Sequence, residues 1–258
     1  VSGPGAGGVG VVAALAAEAR LLGTPIPHAP GLARLDDGTL VAVGGVGPEA
    51  ASRAARRLLD AGVGALVSWG LAGGLDPALR AGTLFLAEQV RGPDGPQLPA
   101  SGYWLDRLQA ALAGHCTIAR GVLLTSARPI ATVADKAAAF GATGAGVVDM
   151  ESLPVAQLAA GHGLPFIAVR VIIDSAHDAV PASMLAALGD SGQLRIGRLL
   201  GALAGAPGDV LALLRLGRRY RLATRALGAV ARRGAMAANA FPVVADAGAS
   251  RGIPRGTA

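Results

Sequence analysis

Residues 65–75 read Ala65-Leu66-Val67-Ser68-Trp69-Gly70-Leu71-Ala72-Gly73-Gly74-Leu75. The first five form an apolar run broken only by Ser68, the pattern of a strand covered on both faces. The run then enters glycines, where a backbone can approach a neighbour or a ligand closely. Runs of the same kind recur on either side: Val9 to Ala14, residues 39–44, Thr83 to Ala87, Ile118 to Leu124, Val147 to Asp149 and Phe166 to Ile173. Between them lie helical patterns. One has Pro48 in its first turn and Gly62 past its end; the others are Ser101 to Ala113, Thr132 to Phe140 and Met150 to Ala160. Buried strands alternating with helices predict an α/β domain around a parallel or mixed sheet, spanning residues 9–190.

The chain has 258 residues, 52% of them hydrophobic and 16% charged, enough to bury a core without disulfides or metal. A lone Cys116 excludes an internal disulfide framework and fits a reducing compartment. The longest uncharged run, Ser152 to Val169, contains Pro154, Gln157, His162 and Pro165, and so does not read as a membrane span. Without a basic segment of secretory type at the N-terminus, a cytoplasmic protein is expected.

The net charge of +6 hides an asymmetry. Residues 1–190 hold 12 basic and 15 acidic side chains, whereas residues 191–258 hold 11 Arg against Asp209 and Asp246. Lys136 is the only lysine among the 23 basic residues. Residues 191–236 are expected to form an Arg-rich helical extension, with helices at Leu194 to Leu203 and Val210 to Ala231. Residues 237–258 are expected to be a disordered tail, and residues 1–8 poorly ordered as well. In the second of these helices, Leu211, Leu214, Leu222 and Leu227 share the surface with five Arg. Such a helix either packs its leucines on the domain or lies, over residues 207–233, on the inner face of a membrane. Nucleic acid is not expected, because no recognition motif or stacking platform accompanies the charges.

Most catalytic motifs fail on context. Gly5-Ala6-Gly7-Gly8-Val9-Gly10 spells a dinucleotide fingerprint but precedes the first strand instead of following it. Ser68 lacks the first glycine of a nucleophile elbow. His28, His115, His162, His177 and Cys116 show no ligand spacing, so neither metal nor cofactor is expected. What remains is a set of acids near strand ends. Glu18 follows the first strand, Asp149 and Glu151 flank Met150, and Asp174 ends the last strand four residues after Arg170. Each acid alone is better explained by a helix cap or a surface charge. Arg170 lies inside a buried strand and needs a partner, which Glu18 or Glu151 would supply. Open α/β sheets bind ligands beyond the carboxyl ends of their strands, where these groups would converge. Gly45-Val46-Gly47 and Gly73-Gly74 read as strand-to-helix junctions with backbone N–H groups free to meet a ligand.

Three stretches together resemble the nucleoside phosphorylase and nucleosidase superfamily, especially the methylthioadenosine/adenosylhomocysteine nucleosidases. They are Val9 to Leu22, Val67 to Leu75, and Val148 to Ser152 followed by Val169 to Asp174. The resemblance covers about residues 9–180. It implies a three-layer α/β/α domain with a mixed central sheet, followed here by the helical extension. Val148 to Ser152, Asp174 to Pro181 and Arg219-Tyr220-Arg221 look most like the hopanoid-associated members, which are thought to remove adenine from adenosylhopane. By position, Glu18 matches the acid that activates water and Asp174 the acid that protonates the purine at N7. Arg170 matches the arginine near sugar and water. Met150 and Glu151 match the pair beneath the ribose, with Asp149 and Gly73 beside them.

Three positions depart from the family pattern. Leu71 and Ile173 stand where relatives carry Ser, and Arg128-Pro129 stands where an aromatic stacks on adenine. True phosphorylases carry Arg in place of Glu18, so the resemblance favours hydrolysis; phosphorolysis and a non-catalytic nucleoside- or lipid-binding role are the alternatives. It also implies a homodimer acting on a nucleoside that is lipid-linked, while a contact with the inner face of the membrane is expected from the Arg-rich helix itself.

Overall fold

In the computed structural model, which describes residues 7–23, 31–180 and 209–233, strand β1 (Val9–Ala13) is buried along its whole length. It pairs in parallel with β3 (Leu40–Val43) on one side and with β4 (Ala65–Gly74) on the other. A short β2 (Leu32–Arg34) runs antiparallel at the edge beside β3. The long β4 pairs in parallel with β9 (Phe166–Asp174), and its last residues pair antiparallel with β8 (Val147–Asp149). β9 pairs antiparallel with β5 (Leu84–Arg91), β5 in parallel with β7 (Ile118–Thr125), and β7 in parallel with β8. The ring β4-β9-β5-β7-β8 therefore closes on itself. A two-residue β6 (Leu98–Pro99) edges β5. The sheet is mixed and the fold class is the expected one.

Side chains alternate between two cores, as the strand period requires. Val11, Ala13, Val67, Trp69 and Val169 face one layer. It holds Trp104, Leu105 and Leu108 of α3 (Gly102–Leu112) and the C-terminal helix, which is numbered α6 (Asp209–Arg232). Val12, Leu66, Ala168 and Ile172 face the other layer, covered by α2 (Pro48–Asp60) and α5 (Ser152–Gly161). The covering stripe of α2 is Ala51, Ala54, Ala55 and Leu58, a helical period of small residues that lets the helix sit close to the sheet. The remaining helices are the one-turn α1 (Ala16–Ala19), continued by a 3-10 turn (Arg20–Leu22), and α4 (Val133–Thr143).

Several boundaries differ from expectation. The third strand does not stop at Trp69 but continues to Gly74, because β9 keeps pairing with it. Gly73-Gly74 is thus strand, not a strand-to-helix junction. Gly45-Val46-Gly47 does join β3 to α2, with φ of 96° at Gly45 and 100° at Gly47. α5 starts at Ser152, two residues after Met150, where the Asp149 carboxylate accepts the Ser152 N–H at 3.1 Å. β2 and β6 are too short to leave a periodic signal.

α6 begins and ends one residue outside the expected helix. Ala223, Leu227 and Val230 are fully buried in the core, so this face packs on the sheet, while Leu222 is 47% exposed among arginines. The expected helix Leu194 to Leu203, residues 1–6 and the tail 237–258 lie outside the described residues, as do the side chains of Leu211 and Leu214. Among the described residues no helix is long and apolar enough to cross a membrane.

Candidate active site

The carboxyl ends of β1, β4 and β9 open onto a cavity of about 240 Å³. Glu18, Gly73, Arg128, Asp149, Met150 and Glu151 line it together with Asp174. Every expected site residue except Arg170 thus reaches one cavity, and Arg170 lies beneath its floor, 1% exposed. Arg128 comes from the exposed turn after β7, where its carbonyl accepts the Ser126 hydroxyl at 2.7 Å.

Glu18 sits one turn after β1 because α1 folds back over the sheet. Its carboxylate accepts the N–H of Leu15 at 3.0 Å and that of Leu71 at 3.0 Å, and its carbonyl accepts the Trp69 indole N–H at 3.1 Å. Burial pushes its pKa up, while Arg170 and the backbone donors pull the other way. A buried carboxylate with a raised pKa is a better proton acceptor for water than an exposed one. Leu71, one of the departures from the family pattern, contributes its backbone N–H to this arrangement. Gly70 lies between the charges: a Cβ there would stand 2.7 Å from Arg170 Nη1 and 2.8 Å from Glu18 Oε1. Gly70→Ala should therefore cost about 1–3 kcal/mol by forcing these groups apart. Urea denaturation checks this; an unchanged midpoint would mean the approach is not tight.

Arg170 has the expected Glu151 within ion-pair distance, but its closest partner is Asp149. Its guanidinium bonds Asp149, with Nη2 at 2.6 Å and Nε at 2.9 Å from Oδ2, while the Glu151 carboxylate is 3.9 Å away. Asp149 holds this position because Thr125 and Ser152 donate hydroxyls to it. Nη2 also donates to Ser68 Oγ at 2.6 Å and Ser152 Oγ at 3.1 Å. Burial works against the guanidinium charge, but Asp149, Glu151 and Glu18 outweigh it and keep Arg170 protonated. Ser68 and Thr125 were not singled out by sequence for this purpose. Their hydroxyls sit in apolar strands and become informative only once the register places Arg170 opposite Gly70.

Glu151 accepts the Gly47 N–H at 2.9 Å, so the junction before α2 fixes it in the cavity. Its pKa is pushed up to about 7, chiefly by burial and then by Asp149, with Arg170 opposing. In the unfolded chain the group titrates near 4.5, so the folded state holds an extra proton between about 4.5 and 7. Its contribution to stability is present below 4.5 and lost as pH rises through about 7. Glu151→Gln should flatten that part of the stability–pH curve. The carboxylate form is the stronger acceptor, so a hydroxyl-bearing ligand seated on Glu151 should bind more tightly as pH rises through about 7 in the wild type and not in the variant. A pH-independent affinity in the wild type would contradict such a contact.

Asp174 is not a helix cap. It pairs with Lys136 of α4, whose ammonium is 0% exposed and also donates to the carbonyls of Ser175 at 2.9 Å and Asp178 at 2.8 Å. Burial raises the Asp174 pKa, and Lys136 is the main opposing influence. Lys136 is the residue that sequence reading passed over. Its signal was its singularity, one lysine in a chain that otherwise uses Arg, but an isolated Lys in a helical pattern reads as a solvated face. Gly73 leaves room beside this acid, since a Cβ there would stand 3.5 Å from Asp174 Oδ2. Among the described residues no cluster of His, Cys, Asp or Glu is placed to hold a metal.

The cavity thus holds two buried carboxylates, Glu18 and Glu151, and a third acid, Asp174, backed by the Lys136 cation. Solved structures share the fold. A 5′-methylthioadenosine/S-adenosylhomocysteine nucleosidase from Neisseria meningitidis, in complex with methylthio-immucillin-A, is 16% identical with a TM-score of 0.64, over 90% of this chain and 99% of that one. Futalosine hydrolase of Helicobacter pylori is 19% identical with a TM-score of 0.61, over 76% and 97%. A nucleosidase of the first kind from Colwellia psychrerythraea, in complex with adenine, is 21% identical with a TM-score of 0.59, over 75% and 94%. No curated protein matches the sequence. Residues 8–203 match the phosphorylase superfamily, and with three quarters of its length so matched and the same fold in these structures, the chain belongs to that superfamily.

Proposed function

We propose that the protein hydrolyses the N-glycosidic bond of a purine nucleoside. The observation that carries this reading is Glu18: the water-side position holds a buried carboxylate bonded by two backbone N–H groups, where a phosphate would need cations. Breaking a bond to a purine builds positive charge on the sugar and negative charge on the base. A carboxylate under the sugar and an acid at the base stabilise the two ends of that separation. Glu151 takes the sugar hydroxyls, with Met150 beneath the ring. Asp174 protonates the departing base and Glu18 receives the proton of the attacking water. Arg170, tied to Asp149, holds Glu18 and Glu151 in place by charge. The neighbours named as nucleosidases and as a futalosine hydrolase support hydrolysis as the reaction class.

For the substrate we infer adenosylhopane, cleaved to adenine and ribosylhopane. The support is the resemblance of Val148 to Ser152, Asp174 to Pro181 and the Arg-rich helix to hopanoid-associated members. The test is base release from adenosylhopane, methylthioadenosine and adenosine, each with and without phosphate. Adenine should appear fastest from adenosylhopane and at a rate independent of phosphate. Preference for a soluble nucleoside overturns the lipid-linked substrate. Glu18→Gln should lower kcat by about 10²-fold while nucleoside binding persists. Unchanged turnover in that variant removes Glu18 from water activation.

A further inference from the structure

We propose that Lys136 and Asp174 form one proton-holding unit, in which Lys136, a positioning residue acting through Asp174, supplies the proton that Asp174 delivers to the departing purine. This rests on the reading of Asp174 as the acid at the base. The geometry that points to it is the set of partners around Lys136 Nζ: the Asp174 carboxylate, the Ser175 carbonyl and the Asp178 carbonyl. An ammonium has three donors and satisfies all three. A neutral amine has two donors and a lone pair; it still satisfies both carbonyls and accepts the O–H of a protonated Asp174. The proton can sit on either partner with no atom displaced and no buried group left without a bond. The pair has zero net charge in both arrangements, so moving the proton changes no charge inside the protein.

That dual fit resolves a difficulty in the acid role. A carboxylate paired with a buried ammonium has no proton to give, yet the purine needs one as the bond breaks. In the proposed step an N–H bond of Lys136 breaks and an O–H bond forms on Asp174. That O–H then breaks as an N–H bond forms at N7 and the electron pair of the C1′–N9 bond moves onto the base. Lys136 is left as an amine and Asp174 as a carboxylate. Water adds to C1′ and its proton passes to Glu18. Solvent exchange after product release returns the proton from Glu18 to Lys136. The other charged groups facing the pair are Asp178, on the loop after β9, and Arg219 of α6. They bond each other at 2.8 Å, and Asp178 also accepts from Ser175, so neither competes for the shared proton.

Two substitutions separate this role from simple support. Lys136→Arg keeps a cation but cannot give up its proton; kcat should fall by about 10²-fold or more across the pH range, with KM nearly unchanged. Lys136→Met removes the cation, leaving a buried Asp174 that is protonated at acid pH; activity should survive there and vanish as pH rises. Wild-type kcat in Lys136→Arg would overturn the proposal, because a purely structural cation is replaceable by Arg. Since Lys136 is the only lysine, labelling lysine with ¹⁵N gives one side-chain signal in the wild-type protein. That signal should lie off the ammonium position, toward that of an amine, and Asp174→Asn should return it to the ammonium position. An ammonium signal throughout, in both proteins, overturns the shared proton whether or not the variants fold. Absence of purine release by the wild type would instead overturn the function proposed above, and the lysine signal would still decide the sharing.

Discussion

Asp174→Asn is expected to lower kcat by about 10³-fold, with KM changed by less than about threefold. Asn matches the shape of the acid and can accept from Lys136, but it has no proton to place on a leaving base. The fold should persist, because the Ser175 and Asp178 carbonyls continue to hold the ammonium. Some stability is lost all the same, since the buried cation keeps only neutral acceptors; about 1–3 kcal/mol is expected. Saturating turnover and a thermal melt on the same preparation separate the two effects. Turnover within about threefold of wild type would remove Asp174 from the chemistry and leave it as half of a structural ion pair.

Arg170→Met is expected to destabilise the protein by about 3–5 kcal/mol, the largest stability effect of any single change considered. The substitution leaves the volume nearly filled but strands the carboxylates of Asp149, Glu151 and Glu18 in a buried site. Asp149 suffers most, since it accepts a hydrogen bond from Nε and forms the closest ion pair with the guanidinium. The loss should shrink on acidification, as these carboxyls take up protons. Adding Asp149→Asn to Arg170→Met should recover part of it, a non-additivity that a double-mutant cycle measures. A loss below about 1 kcal/mol for Arg170→Met alone would mean the guanidinium is not the electrostatic hub of the site.

How far the sequence speaks depends on which interaction places each residue. The long apolar runs give their strands directly: β1 and the first half of β4 have no polar alternation, and both turn out buried on two faces. The end of β4 does not read this way, because Gly70 to Gly74 are strand only through their pairing with β9 and β8, a non-local effect. For the same reason Gly73-Gly74 looks like a junction in one dimension. The acids at the strand ends were visible, and resemblance to a family gave them roles. Their partners were not, because Asp149 with Arg170 and Lys136 with Asp174 are joined across 21 and 38 residues by strand register and helix placement. Ser68 shows the limit well. Its position in an apolar strand suggested nothing, yet its hydroxyl takes one of the buried guanidinium bonds.

The charge asymmetry raised a choice for α6 between packing and a membrane surface. Leu227 belongs to the core together with Ala223 and Val230, so the inward face of the helix is occupied by the domain. Leu222 and the neighbouring arginines remain on the outside, and Arg219 ties the helix to the loop that follows Asp174. Sequence periodicity could not choose between these arrangements, because an interfacial helix and a packed surface helix share the same amphipathic pattern.

The central claim is that water, activated at Glu18, attacks the sugar. The most direct measurement is mass spectrometry of the sugar product formed from a purine nucleoside in isotopically labelled water containing phosphate. Hydrolysis predicts a free sugar carrying one heavy oxygen at C1′, formed in equal amount to the released purine. A sugar 1-phosphate without the heavy oxygen would contradict the account and identify the protein as a phosphorylase.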